Sequence, residues 1–243
     1  MRKLYTLLCL LIAATTLQAQ SSQPNFSIQV GYQALYLNPT PFNFLADSLY
    51  NVQVADLSER MGNIKWTTGP SVGIAYHRGR SALRLSGRYF AARAFAVRTD
   101  DMGAVVRRDV RLTGLATTLQ LTSELVPITD LLSFYVGGGF SLFNLQIQSE
   151  EVPNNSFSAA DPLKVIENRN KLSFLLQTPF RLRLPPRFML SLEPYYQVFF
   201  GPLEFEPLAQ EIVPEPPASN GKITGELDHF GVNFSFIVFL RRE

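Results

Sequence analysis

Six ionisable side chains fall where an extended chain would carry them on the face opposite its apolar residues: Arg84, Arg88, Glu124, Arg181, Arg183 and Glu193. Arg84 and Arg88 share a face with Ser86, while Leu83, Leu85 and Tyr89 take the other. Arg181 and Arg183 alternate with Phe180, Leu182 and Leu184 in the same way. Charges withdrawn from water need partners, so this spacing predicts an interior network joining Glu193 and Glu124 to some of the four arginines. The chemistry expected of it is structural, a plug of satisfied charges; a proton or ion path is the sharper alternative. The two histidines, His77 and His229, each stand at a strand end, and no His, Cys or carboxylate spacing suggests a metal site. No nucleophile elbow, phosphate loop or acid/base pair is visible. The sequence thus predicts no catalytic residue, no metal and no cofactor.

Eight runs of period-two alternation must position these charges: 26–38, 66–77, 81–99, 107–125, 131–148, 171–184, 188–200 and 229–240. The phase is unclear at Ala91-Ala92-Arg93 and again near Gly114, where bulges would reset it. Connections alternate long and short. Arg78-Gly79-Arg80, Pro127 to Asp130 and Pro185-Pro186-Arg187 are tight, whereas 39–65, 149–170 and 201–228 are long and contain prolines. A short helix is expected around Val54 to Met61 in the first of these. The last holds Glu204, Glu206, Glu211, Glu215, Glu226 and Asp228 against Lys222. It reads as a solvated loop whose residues 207–225 could be deleted without loss of folding, or alternatively as an adhesive or divalent-cation-bridged surface.

The N-terminus has the layout of a secretory signal, with Arg2-Lys3, an apolar run from Leu4 to Ala14, and small Ala19 before cleavage. That run falls well short of the roughly 20 residues of a spanning helix. Residues 1–19 are therefore read as signal peptide and 20–243 as one domain. The single cysteine, Cys9, goes with the signal, leaving no disulfide or thiol chemistry. Two of the 22 basic residues and none of the 20 acidic ones are removed, so the mature chain is formally neutral and nucleic acid is a poor partner. With 19 Phe and 9 Tyr and no helical span, the chain points to the other structure that lipid allows, a closed barrel.

A soluble, lipocalin-like ligand-binding barrel would turn the apolar face inward. Against it stand the aromatic ends of the apolar faces (Tyr32, Tyr36, Trp66, Tyr76, Phe188, Tyr196, Phe200), the Gly, Ser and Thr of the polar faces, and the basic short-turn rim of His77, Arg78, Arg80, Arg187, Arg241 and Arg242. The expected fold is all-β: a single eight-stranded antiparallel up-and-down transmembrane β-barrel, with short periplasmic turns, long extracellular loops and both mature termini periplasmic.

The final run carries the most specific signal. His229, Gly231, Phe234 and Phe236 match the C-terminal insertion pattern of small outer-membrane barrels: polar, any, Gly, two of any, aromatic, any, aromatic. Across the mature chain the sequence resembles the OmpX and OmpA-barrel type, and especially the PorT-like barrel proteins of Bacteroidota, as does its Leu-Gln-Ala-Gln signal ending. Those proteins commonly end near the last aromatic, whereas here the chain continues to Glu243. The resemblance implies recognition by the barrel-assembly machinery, contact with outer-membrane lipid and lipopolysaccharide, and a non-enzymatic role in envelope structure, in interaction through extracellular loops, or as a secretion accessory. A charged residue in place of Gly231 or Phe236 should then abolish insertion. Some eight-stranded barrels are lipid A deacylases or acyltransferases, so a lipid-modifying enzyme is the alternative. The deacylases pair His-x-Ser on a lipid-facing strand, and the serine is missing from His229-Phe230-Gly231. A narrow ion channel is a further alternative, although an eight-stranded barrel encloses little more than its own side chains.

Overall fold

In the computed structural model, residues 25–37, 39–153, 163–184, 187–215 and 223–240 are described; Cys9, the signal segment 1–19, Lys222, Arg241 and Arg242 lie outside them. The strands are β1 (Asn25–Tyr36), β2 (Leu57–Glu59), β3 (Trp66–Arg78), β4 (Ser81–Thr99), β5 (Val105–Pro127), β6 (Leu132–Pro153), β7 (Lys164–Gln177), β8 (Phe180–Leu184), β9 (Phe188–Phe199), β10 (Leu203–Glu204), β11 (Thr224–Gly225) and β12 (His229–Phe239). Antiparallel pairing runs from β12 through β1, β3, β4, β5, β6 and β7/β8 to β9, and β9 pairs back onto β12. Because β7 and β8 form one stave broken at Thr178-Pro179, the ring has eight staves and no open edge around the belt. Tyr135 N–H donates to Pro179 O (2.8 Å) and Thr178 N–H to Pro194 O (2.9 Å), carrying the ladder across the break.

The outward face is apolar. Phe26, Ile28, Val30, Tyr32, Val72, Ile74, Leu119, Phe140, Leu172, Leu192 and Phe234 are all exposed, while Ser27, Gln29, Ser71, Thr118, Ser141, Ser173 and Ser235 are buried inside. Water would charge heavily for such a surface, so the barrel faces lipid and the lipocalin-like arrangement is ruled out. Aromatic pairs mark both edges of the belt. Phe26–Tyr76, Phe134–Phe180 and Phe188–Phe236 lie towards the short-turn rim, and Tyr36–Trp66 and Trp66–Phe230 towards the other. From Phe26 to Tyr36 there are ten steps of ~3.4 Å tilted by about 40°, a rise of about 26 Å that matches the apolar band of such barrels. The described chain ends, Asn25 and Leu240, both lie at the short-turn rim, where Leu240 N–H donates to Phe26 O.

The staves are unequal. β1, β9 and β12 have 12, 12 and 11 residues, whereas β4, β5 and β6 have 19, 23 and 22, so one side of the barrel continues beyond the belt as a wall. The chemistry of the two faces exchanges where the wall leaves the belt. On β6 the outward residues pass from Phe140 and Leu142 to Asn144, Gln146 and Gln148, while the inward ones pass from Gly139 and Ser141 to Phe143, Leu145 and Ile147. On β4 and β5 the same exchange brings Phe90, Ala92, Ala94, Val110 and Leu112 inside.

This exchange corrects the expectation of bulges at Ala91–Arg93 and Gly114. β4 and β5 pair without a shift from Ser81↔Ser123 to Thr99↔Val105, and the backbone alternation is unbroken. Gly114 is an inward position between the rings of Phe90 and Phe143, where a Cβ would stand 2.3 and 2.6 Å from them. The register shifts lie instead at Leu125, opposite Ile147–Gln148, and where β2 meets β4 between Leu57 and Glu59. The connection expected over 149–170 is also shorter than anticipated, since β6 runs to Pro153 and β7 begins at Lys164.

A cap fills the hollow of the wall. It comprises α1 (Thr40–Phe44), a π-helical turn (Leu45–Tyr50), α2 (Asn51–Gln53) and α3 (Glu206–Ile212). Phe42, Leu45, Ala46, Tyr50, Phe205, Leu208, Ala209 and Ile212 are buried against the wall's apolar inner face, in one core with Leu112, Phe143, Leu145 and Phe199. The helix expected at Val54–Met61 is absent, that stretch holding β2, which pairs with the end of β4; the helical residues precede it. The last connection is not a solvated loop, because Leu208, Ala209, Ile212, Val213 and Ile223 are buried. Deleting 207–225 would therefore remove core rather than surface.

Candidate functional site

Inside the belt, four strands converge on Glu193. Arg84 Nη1 donates to Glu193 Oε1 (2.6 Å) and Nη2 to Oε2 (3.0 Å), a bidentate pair with side chains only 5% and 2% exposed. Asn233 Nδ2 (3.1 Å), Gln29 Nε2 (3.2 Å) and Ser191 Oγ (3.0 Å) also donate to this carboxylate. Arg84 donates further to Gln177 Oε1 (2.9 Å) and to Gln29 Oε1. Such saturation is what a buried ion pair requires. What remains open among these groups is a cavity of about 10 Å³, room for about one water.

The other predicted charges are spread along the lumen. Arg88 sits one layer towards the wall, donating to Thr118 Oγ1 (3.3 Å) and Gln197 Oε1 (3.1 Å), with its guanidinium 4.6 Å from the Tyr195 ring centre. Arg181 lies on the short-turn side, 4.2 Å over the Tyr135 ring. Glu124 is half-buried and accepts from Tyr135 Oη (3.2 Å) and Ser133 Oγ (3.4 Å); among the described residues it pairs with none of these arginines. Tyr135 touches both Glu124 and Arg181, and the expected link from Glu124 to an arginine is replaced by this tyrosine. Arg183 is exposed at the rim, outside the lumen, because the stave ends beside it at Leu184.

The insertion-pattern residues divide by face. Phe234 and Phe236 point outward, Phe236 stacking on Phe188 at 5.2 Å, while His229 and Gly231 point inward. A Cβ on Gly231 would lie 2.6 Å from Cζ and Oη of Tyr195, whose hydroxyl donates to Gln33 Oε1 (2.8 Å). His229 Nδ1 lies 3.1 Å from Leu227 O, between the rings of Tyr195 and Phe199. His77 Nε2 meets Ser27 Oγ at 2.8 Å, and that hydroxyl is buried in the lumen. Among the described residues, no three His, Cys, Asp or Glu are grouped to hold a metal.

The wall adds clusters that alternation alone did not reveal. On its outer face Asp109, fully buried, is bracketed by Arg93 (2.5 Å) and Arg107 (2.9 Å), and Arg107 lies 3.9 Å over Phe95. At its far end Glu151 takes Arg98 on one oxygen (2.8 Å) and Arg108 on the other (2.5 Å). Burial alone would lower the Arg98 guanidinium, but the hydrogen bond and charge of Glu151 raise it above its ordinary value. Burial likewise pushes the neighbouring Tyr50 hydroxyl up, with Arg108 drawing it back. The usable signal was the chemistry of alternate residues: arginines on the face that had been apolar mean that this face has left lipid.

No family model matches the sequence, and no curated protein matches it. Among solved structures, the outer membrane protein OprG from Pseudomonas aeruginosa aligns with a TM-score of 0.49 at 10% identity, covering 89% of this chain and 96% of that one. Neisserial surface protein A aligns at 0.45 and 10% identity, covering 89% and 99%. Ail of Yersinia pestis aligns at 0.40 and 11% identity, covering 90% and 99%. At such identity nothing of what these proteins bind carries over to this chain.

Proposed function

We propose that this chain is a bacterial outer-membrane barrel that works without catalysis and without solute flow, as a structural and interaction protein of the envelope. The carrying observation is a lumen closed twice, by the Arg84–Glu193 network within the belt and by the apolar cap at the mouth. A path blocked by saturated hydrogen bonds and then by packed Phe and Leu leaves no route for diffusion. The basic short-turn rim, with Arg78, Arg80 and Arg187, suits anionic headgroups of an inner leaflet, which supports a periplasmic reading of that rim and of the mature termini, with the wall outside. Outer-membrane lipid and lipopolysaccharide then surround the belt, and the barrel-assembly machinery would read the last strand. The resemblance to PorT-like proteins favours an accessory role in secretion or envelope integrity, with a protein partner at the wall and cap.

The purified full chain in planar bilayers should show no steady conductance. A large steady conductance would overturn the closed lumen. Lipid A mass profiles should be the same with and without the protein, and a lost or added acyl chain would assign it to lipid modification instead. Mild crosslinking in native membranes followed by co-purification identifies the partner.

A further inference from the structure

Cap and wall do not meet everywhere. Near the far end of the wall they leave a cavity of about 270 Å³, close to the size of small-ligand sites. Its lining is charged unevenly. On one side Arg98 and Arg108 share the single carboxylate of Glu151, which leaves one net positive charge, and Arg108 Nε is buried without a hydrogen-bond partner among the described residues. The lining also holds Asp56 and Asp101, near the end of β4, both exposed and neither in an ion pair among the described residues, and Glu211, which pairs with Lys164 (3.0 Å). Ile212 and Val213 add apolar surface to the lining. Asp56 also holds φ at +56°, the one non-glycine described residue with positive φ, and its carbonyl accepts from Thr99 N–H (3.2 Å).

A pure anion would be repelled by the aspartates, and a pure cation by the arginines. A neutral sugar would make no use of charges of both signs. A molecule with both charges satisfies the field. A sphere of this volume is about 8 Å across, and an extended dipeptide spans about 7 Å.

We propose that this cavity binds a zwitterion of dipeptide size, its carboxylate on Arg98 and Arg108 and its ammonium towards Asp56 and Asp101, with an apolar side chain against Ile212 and Val213. The site does not depend on the closed lumen, and each idea fails by its own measurement.

The test is calorimetric titration of the full chain in detergent micelles with leucyl-leucine, its N-acetyl derivative, its C-terminal amide and, in parallel, glucose. Leucyl-leucine should bind saturably, and either capped form at least about tenfold more weakly. Arg98→Gln should erase the difference between acid and amide. Asp56→Asn with Asp101→Asn should erase the difference between amine and acetyl; Asn is chosen because it tolerates the left-handed backbone. Retained heat-modifiable mobility on gels shows that each variant is folded. No saturable binding of leucyl-leucine, equal binding of capped and free forms, binding of glucose alone, or unchanged discrimination in the variants would each overturn the proposal.

Discussion

Glu193 is the residue on which the interior balance turns, since it is one carboxylate in a lumen that also holds Arg84, Arg88 and Arg181. Glu193→Gln should destabilise the barrel by about 3–5 kcal/mol, because it leaves Arg84 buried and uncompensated. The readout is the urea midpoint in lipid vesicles, followed by heat-modifiable mobility. Adding Arg84→Gln should recover part of the loss, and a double variant as unstable as the single one would contradict the pairing. Arg183→Gln, at the exposed rim, should stay within about 0.5 kcal/mol of the parent. Gly231 tests a different constraint. Its insertion-signal role and its packing role predict different outcomes for Gly231→Ala, since a methyl group 2.6 Å from Tyr195 costs about 1–3 kcal/mol of overpacking while adding no charge. Full insertion with a lowered urea midpoint is the expected result.

The cap is the element whose existence changes the reading of the chain. Leu208 is completely buried, so Leu208→Ala should cost about 2–5 kcal/mol and open the cap to protease at the long-connection rim. The belt, with its own hydrogen-bonded interior, should keep its heat-modifiable mobility; unchanged proteolysis would show that the cap is not held by this core. The strands were legible because lipid on one side and a narrow lumen on the other impose a period of two, visible in Phe26, Ile28, Val30 against Ser27, Gln29, Gly31. The inward face of Arg84 and Glu193 followed from the same phase, but not which arginine Glu193 would take. The partner of Glu124 did not, because alternation gives the face of a residue and not its height along the lumen. The cap's sequence did carry a helical signal, with Phe42, Leu45, Ala46, Leu49 and Tyr50 at the spacing of one helix face. Prolines at 39 and 41 and the loop-like length hid it. The supposed bulges were a change of solvent misread as a change of geometry.

At the scale of the whole molecule, a strand such as β6 crosses two environments, and the cost of a substitution should reverse along it. Leu142→Asn, on the lipid side of the boundary, should destabilise, whereas Asn144→Leu, one outward position further, should be close to neutral; midpoints in vesicles compare them. The lone tryptophan reports the same boundary. Trp66 is 62% exposed at the upper edge of the belt, so quenchers placed shallow in the bilayer should dim its fluorescence more than deep ones. Stronger quenching from the bilayer centre would misplace the belt. The unequal staves have a consequence for everything around the protein. Where β9, β12, β1 and β3 end at the aromatic edge, neighbouring molecules can close over the barrel; where β4, β5 and β6 rise past it they are held at a distance. In a crowded membrane the molecule therefore has a sheltered side and an open side, and any neighbour that docks laterally must choose between them.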